Sequence, residues 1–323
     1  MAFIKAKRTM GVKIESTPYT EETLAASDYS IPWNDIEYSP EIQMYARKIA
    51  RGHMSWDPSI AGKRELKITA RHDFYVRDTA LGTAPKWGVT QRMCGLKETV
   101  YAGTGVGYVP HADYTRVPGT IHIQERDEGA SPSDLVIRGR GGMGNCKYVL
   151  DSVGRPLSFN YDFRSVLTGI EDRAYASIIT PTITDTDLPD AVLSSTITLF
   201  GETQKLDKFT IDLGNDVQLF TDPSKSEGYE GAHIVGRNIS LELDPDMDLI
   251  ANRGDYARWT GDTTGAMVVT VGTNAQLIAP AVQYIKAYNP QEREGHVTNQ
   301  KNCELKGGPA GNDEFEILQG TKI

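Results

Sequence analysis

The sequence predicts a mainly β protein, and three features predict it. Hydrophobic residues make up 39% of the chain, while 31 glycines and 15 tyrosines supply turns and strand surfaces. Long Ala/Leu/Glu/Lys runs of the kind that build packed helices are almost absent. Short apolar/polar alternations recur instead, bounded by Gly, Pro, Asn and Asp.

Taken in order, residues 1–30 read as an arm, because "GVKIESTPYTEETLAASD" is polar and holds no sustained period. A short helix is expected near Pro40–Arg51, where Ile42, Tyr45, Ala46 and Ile49 recur at helical spacing. Strands follow. Arg64–Arg77 alternates, with Leu66, Ile68 and Ala70 on one side and Lys67, Thr69 and Arg71 on the other. Thr115–Arg126 places Ile121 and Ile123 on one face, and Cys146–Phe163 reads as a hairpin turning at Val153–Pro156.

Thr180–Ser194 is rich in Thr, Asp and Pro and reads as a linker. Short strands are expected after it at Thr196–Phe200, Lys208–Leu213, Gln218–Thr221, Asn238–Leu243, Met267–Val271, Ala281–Tyr288 and Glu314–Leu318, with a helix within Pro245–Trp259. The predicted organisation is an arm at 1–30, a first β-sandwich unit at 31–174, a linker at 175–195 and a second unit at 196–323, with few short helices.

The halves carry a similar order of features, and a diverged duplication competes with chance agreement as the cause. Arg64 and Arg237 open alternating strands, Trp87 and Trp259 follow, then long strands around Ile121 and Val282. Segments headed by Cys146 and Cys303 come next. Asn160-Tyr-Asp-Phe and Asp313-Glu-Phe-Glu close the two series.

Charge is unevenly placed. The chain carries −9 overall, but residues 1–174 hold 23 Lys/Arg against 21 Asp/Glu, and residues 175–323 hold 11 against 22. Such a chain is poorly suited to gripping phosphate. It suits a surface that repels nucleic acid, or copies that meet through unlike faces, and ordinary solubility charge explains it as well. There is no apolar stretch long enough to span a bilayer and no signal-peptide pattern at Met1–Lys13, so no membrane role is expected. Cys94, Cys146 and Cys303 are widely spaced without a C-x-x-C pair, and they read as buried reduced thiols.

Motifs with catalytic meaning fail on context. Gly139-Arg-Gly-Gly-Met-Gly144 fits G-x-G-x-x-G, but a strand pattern follows where a dinucleotide site needs a helix. Gly103, Gly105 and Gly107 lack the lysine of a phosphate loop. Asp244-Pro-Asp-Met-Asp248 starts like a calcium loop but has Leu249 where glycine is required. The six histidines show no metal-binding spacing. No catalytic residue, cofactor or metal is therefore assigned. Glu242, Asp244, Asp246 and Asp248 alternate, and form one acidic strip if the strand runs through Pro245; a solvated turn is the other reading.

Four segments resemble the tail tube, or major tail, proteins of long-tailed bacteriophages with non-contractile tails. They are "IESTPYTEETLAASDYSIPWNDIEYSPE", "GRGGMGNCKYVLDSVGRPLSFNYDFRSVLTGIED", "FTIDLGNDVQLFTDPSKSEGYEGAHIVGRNISLELDP", and the closing pair "APAVQYIKAYNPQEREG" and "GNDEFEIL". The third is the most specific, with Asp212-Leu-Gly-Asn215, Asp222-Pro and Gly236-Arg237; Asp255–Thr273 matches nothing in the family pattern.

The resemblance implies a structural, non-enzymatic virion protein. Its β-sandwich subunits would close into rings, and the rings would stack into a tube through which double-stranded DNA passes without specific binding. Implied partners are the chain itself, as a trimer with pseudo-sixfold symmetry or a hexamer, a tape measure protein, and tail terminator and tip proteins. Assembly would take place in the host cytoplasm and the product would reside in the virion tail. An inter-ring arm would fall on Ile14–Ser30, including Ile14, Glu15, Pro18, Tyr19, Leu24 and Tyr29, and an inter-ring loop on Asp78–Gly95 or Tyr101–His111. The lumen-facing candidates are Glu242, Asp244, Asp246 and Asp248. Two rival classes remain: a β-sandwich binding module for protein or glycan, and a nucleotide-using enzyme built on Gly139–Gly144.

Overall fold

The computed structural model describes residues 8–47, 57–75, 81–126, 133–174, 189, 191–193, 195–272, 274–308 and 311–322. Within them the chain is mainly β, as its alternating pattern predicts. The first half opens with β1 (Thr9–Ile14), a 3-10 turn at Ala26–Tyr29, and a long antiparallel hairpin of β2 (Trp33–Arg47) and β3 (Asp57–Asp73). A short helix, α1 (Gly88–Met93), leads to the hairpin β4 (Leu96–Tyr101) and β5 (Gly105–Pro110). Then come β6 (Gly119–Arg126), β7 (Ser133–Leu150) and β8 (Ser158–Ala174).

The second half begins with β9 (Ile197–Leu199), β10 (Glu202–Thr203) and β11 (Leu206–Asp212). A separate two-stranded sheet follows, β12 (Asn215–Thr221) with β13 (Tyr229–Arg237). After it come β14 (Ser240–Pro245), the short helices α2 (Ile250–Arg253) and α3 (Asp255–Thr260), and β15 (Thr264–Val271) with β16 (Ala275–Lys286). The small hairpin β17 (Pro290–Arg293) and β18 (His296–Asn299) precedes β19 (Lys301–Leu305) and β20 (Glu316–Gly320).

One large antiparallel sheet connects both halves, in the order β10-β9-β15-β16-β19-β14-β11-β7-β8-β3-β2, with β6-β1 branching from β7 and β20-β5-β4 from β16. Within this order the halves repeat one topology. The first half runs β2-β3-β8-β7-β6-β1, and the second runs β11-β14-β19-β16-β15-β9. Ranked by position in the chain, each series reads second, third, sixth, fifth, fourth, first. A helical segment lies between the third strand and the fourth in both, followed in the first half by the β4–β5 hairpin, and it adjoins Trp87 in one and carries Trp259 in the other.

The repeat pairs β7 with β16 and β8 with β19. Cys146 on β7 and Cys303 on β19 are therefore not counterparts, nor are Ile121 on β6 and Val282 on β16, although feature order in the sequence had matched them.

The halves share their core. Leu66, Ile68 and Ala70 on β3, Ile121 and Ile123 on β6, and Leu277 and Val282 on β16 belong to one buried cluster. Phe159 on β8 touches Phe74, Trp87 and Tyr148 at ring-centroid distances of 5.1, 5.4 and 4.9 Å. Tyr148 in turn meets Phe315 of the second half at 5.1 Å. Aromatic pairs in such stacked, tilted and edge-on arrangements each add about 1 kcal/mol beyond the burial of their surface. A polar network is sealed inside: the Tyr161 hydroxyl accepts from Gln91 Nε2 at 2.7 Å and Thr90 Oγ1 at 2.9 Å, which fixes α1 beneath β8.

Two local expectations are corrected. The helix expected at Pro40–Arg51 is the outer part of β2, at least as far as Arg47; residues 48–51 lie outside the described residues. Residues Ser39–Arg47 are all exposed, so the segment buries no face and shows no period-two signature. The loops expected to project do not. Residues 81–95 carry α1, with Trp87 and Met93 fully buried, and Tyr101–His111 is mostly β5, paired to β4 and β20 on its two sides. Asp78–Ala80 lie outside the described residues. Most of the expected linker does too; of its described part, Val192 is buried and exchanges backbone hydrogen bonds with Gly154 and Arg155 in the β7–β8 turn.

Candidate functional site

The expected arm is built into the molecule from Arg8 onward. β1 pairs with β6 along its length, from Thr9 opposite Gln124 to Ile14 opposite Gly119. Beyond it, Glu15 is buried and its carboxylate accepts from the Gly141 N–H at 2.7 Å, Thr120 Oγ1 at 3.0 Å and the Tyr19 N–H at 2.6 Å. Burial pushes its pKa above the usual carboxyl value, against the pull of these donors. Leu24 and Tyr29 are buried, and the Tyr29 hydroxyl accepts from Gln124 Nε2 at 3.1 Å. Ile14–Ser30, expected as an inter-ring arm, is thus docked on its own chain, with Ser16–Pro18, Thr20, Thr23 and Ala25–Ser27 exposed between the buried anchors.

The docking site explains the glycine-rich run. Gly139–Gly144 lies inside β7, where the register to β8 shifts between Arg140 and Met143. Gly141 sits at φ +61°, a conformation that disfavours a side chain. Tyr19 stacks on His233 of β13 with ring centroids 5.1 Å apart, and a Cβ on Gly231 would meet its ring at 2.1 Å. Arg140 ties the layers together: its guanidinium donates to Tyr19 O at 2.9 Å, Glu230 O at 2.7 Å and Tyr229 O at 3.1 Å, and pairs with Glu227 at 3.1 Å. The run is a bulged strand that receives the N-terminal segment, and no helix begins there to face a pyrophosphate.

The acidic strip is largely neutralised from within. Asp244 is buried, accepts the Lys208 N–H at 3.2 Å and pairs with Arg293 at 3.2 Å. Asp246 pairs with the same guanidinium at 2.6 Å. Asp248 accepts from Asn252 Nδ2 at 2.8 Å and the Leu249 N–H at 2.7 Å, which hold its pKa low, and pairs with Arg253 at 3.3 Å. Glu242 is exposed and borders a shallow cleft with Lys208 and Gln300. The four residues do not form one uniform face: one is buried, one is exposed on the strand, and two lie beyond it.

A second buried charge pair sits under α3. Lys301 Nζ lies 2.5 Å from Asp255 Oδ2, and the Tyr284 hydroxyl donates to Asp255 Oδ1 at 2.8 Å. Burial pushes the lysine pKa down and the tyrosine pKa up. The trio is closed off from solvent, with Lys301 1% exposed, and it ties α3 to β16 and β19. Cys94, Cys146 and Cys303 are buried free thiols whose pKa values are raised by desolvation. Among the described residues no group of three or more His, Cys, Asp or Glu is placed to hold a metal, and no helix is long and apolar enough to cross a membrane.

The most unusual exposed surface is the outer part of the β2–β3 hairpin. β3 pairs with β8 from Glu65 to Asp73, and its outer part, Asp57–Arg64, pairs with β2 alone. There Ile42, Met44, Tyr45 and Ile60 are 48, 58, 48 and 52% exposed. Tyr45 lies opposite Ile60 and covers Gly62, where a Cβ would meet its ring at 2.4 Å. Apolar side chains on a two-stranded segment leave about half of their surface uncovered by their own chain. Sequence reasoning missed this hairpin; its signal was the Pro40 within a β-rich run, since proline is tolerated on an edge strand.

No protein-family model matches this sequence, and comparison with curated proteins found no match.

Proposed function

We propose that the chain is a structural subunit that polymerises as stacked rings into the tail tube of a long-tailed bacteriophage, enclosing a conduit for double-stranded DNA. The observation that carries this reading is the outer part of the β2–β3 hairpin, where Ile42, Met44, Tyr45 and Ile60 are about half exposed. Large apolar side chains exposed together on one hairpin mark a protein–protein contact. Stacking onto the neighbouring ring would bury it.

The repeated six-strand topology supports the same reading, because a chain with two equivalent units can supply two positions of a ring. Three chains then present six units. The acidic balance of residues 175–323 suits a bore that must not hold phosphate. Tape measure, terminator and tip proteins are the partners this role entails, with assembly in the host cytoplasm and residence in the virion tail.

The test is negative-stain electron microscopy of the purified chain over a concentration series. Rings and tubes of uniform width are expected as concentration rises. Single particles of one chain at every concentration would refute the proposal.

A further inference from the structure

The junction between the two repeats shows how one unit receives the next. β6 covers β7 only from Asp134 to Gly142. The rest of that flank, Lys147–Leu150, is filled by β11, the second strand of the following unit, with Asp212 opposite Lys147 and Phe209 opposite Leu150.

The second repeat offers the same flank without a paired strand among the described residues; at its start Ile285 O accepts from Trp259 Nε1 of α3 at 3.1 Å. β15 covers β16 from Ala275 to Gln283. Beyond Gln283 the strand runs to Lys286, and after the non-strand residues Ala287–Asn289 comes β17, which among the described residues pairs only with β18 on its other side. The hairpin β16–β17/β18–β19 thus corresponds to β7/β8, and the outer flank of residues 284–293 corresponds to Lys147–Leu150. Ile285 and Lys286, and Pro290, Gln291 and Glu292 further on, are exposed along it.

The counterpart of β11 is β2, since each is the second strand of its repeat and pairs with the third. β2 forms one end of the long sheet and is fifteen residues long, whereas the other end, β10, has two. No described strand pairs with the outer side of β2, where Ile36 O accepts from the Arg8 guanidinium; a long edge without a strand partner is what a chain that stays single avoids, and Pro40 within it is compatible with an edge.

We infer that β2 of one copy pairs antiparallel with the 284–293 flank of the next, reproducing between chains the β11–β7 junction found within one. This rests on the tube proposal, and it specifies the seam within a ring. Carrying the intrachain register across through the strand ladders places Glu37 opposite Gln291, with Glu37–Pro40 facing Tyr288–Gln291.

The experiment is disulfide trapping in the full chain. The native thiols Cys94, Cys146 and Cys303 are buried, so introduced surface cysteines report alone. Glu37→Cys with Gln291→Cys, and Glu37→Cys with Asn289→Cys for a two-residue slip on the same face, are oxidised under assembling conditions. Linked dimers, trimers and higher closed species are expected from at least one double variant. An equimolar mixture of the two single variants should stop at dimers. Rings visible by microscopy without such linkage would overturn the seam and leave the tube reading standing. Absence of both rings and linkage would overturn both.

Discussion

The Glu15 carboxylate accepts the backbone N–H of Gly141 at 2.7 Å, joining residues 126 apart in the chain. This contact turns what reads as a polar arm into part of the fold. It also explains why a left-handed residue stands in the middle of β7.

Glu15→Ala is expected to cost about 1–3 kcal/mol, because the N–H groups of Gly141 and Tyr19 and the Thr120 hydroxyl lose a buried acceptor. Glu15→Gln tests the charge. Burial raises the folded pKa above the ordinary 4.5, so the native state holds its proton more tightly than the unfolded chain. The associated stability is present below the unfolded pKa and is lost as pH rises through the folded value. The melting temperature of Glu15→Gln relative to the parent should therefore increase as pH is raised from about 4 toward neutrality, measured by calorimetry.

His72 carries the opposite dependence. It is fully buried, with Nε2 3.1 Å from the Tyr161 hydroxyl and Nδ1 2.8 Å from Asp73 O, and burial lowers its pKa to about 4. A base held neutral in the fold leaves stability intact above its unfolded pKa of 6.5 and removes it as pH falls toward 4. The loss amounts to about 3 kcal/mol over that window. Nuclear magnetic resonance should show this ring still neutral at pH 5.5, and a ring half-protonated near 6.5 would contradict the burial.

The Asp255–Lys301 pair predicts a severe single defect. Asp255→Ala leaves a buried ammonium without its counter-charge and should cost about 3–5 kcal/mol in denaturant unfolding. Asp255→Ala combined with Lys301→Met should recover part of that loss. An Asp255→Ala chain as stable as the parent would contradict the buried pair.

The acidic residues separate by role. Asp244→Ala should cost about 1–3 kcal/mol, since it deprives Arg293 and the Lys208 N–H of their partner. Glu242→Lys should change stability by less than about 0.5 kcal/mol. Comparable losses in the two variants would contradict the geometry.

Met44→Lys with Ile60→Lys removes two of the exposed apolar side chains of the outer hairpin and changes no core residue. The fold should keep its stability to within about 1 kcal/mol. Tubes should shorten to isolated rings or vanish in micrographs, and tubes of normal length would remove the hairpin from the stacking contact.

Much of the strand content was legible because buried faces leave a period of two. Leu66, Ile68 and Ala70 on β3, and Ile121 and Ile123 on β6, are examples. The hairpin was not legible, because Ser39–Arg47 bury nothing and the spacing of Ile42, Tyr45 and Ile49 fits a helix equally well. The alternation of Glu242, Asp244, Asp246 and Asp248 was visible, but Arg293 lies 47 residues from Asp246 and pairs with it only in the fold. The docked arm was hidden for the same reason: its partners Thr120, Gly141 and His233 are remote in sequence. The repeat showed through Trp87 and Trp259, and its strand correspondence required the pairing itself.

The account stands on strand edges that a second copy completes. Amide hydrogen exchange, followed by mass spectrometry in dilute and in concentrated protein, reads those edges directly. Peptides covering Trp33–Pro40 and Tyr288–Arg293 should exchange quickly when dilute and gain strong protection together as assemblies form. Equal exchange of both peptides at every concentration, in chains that stay single, would contradict it.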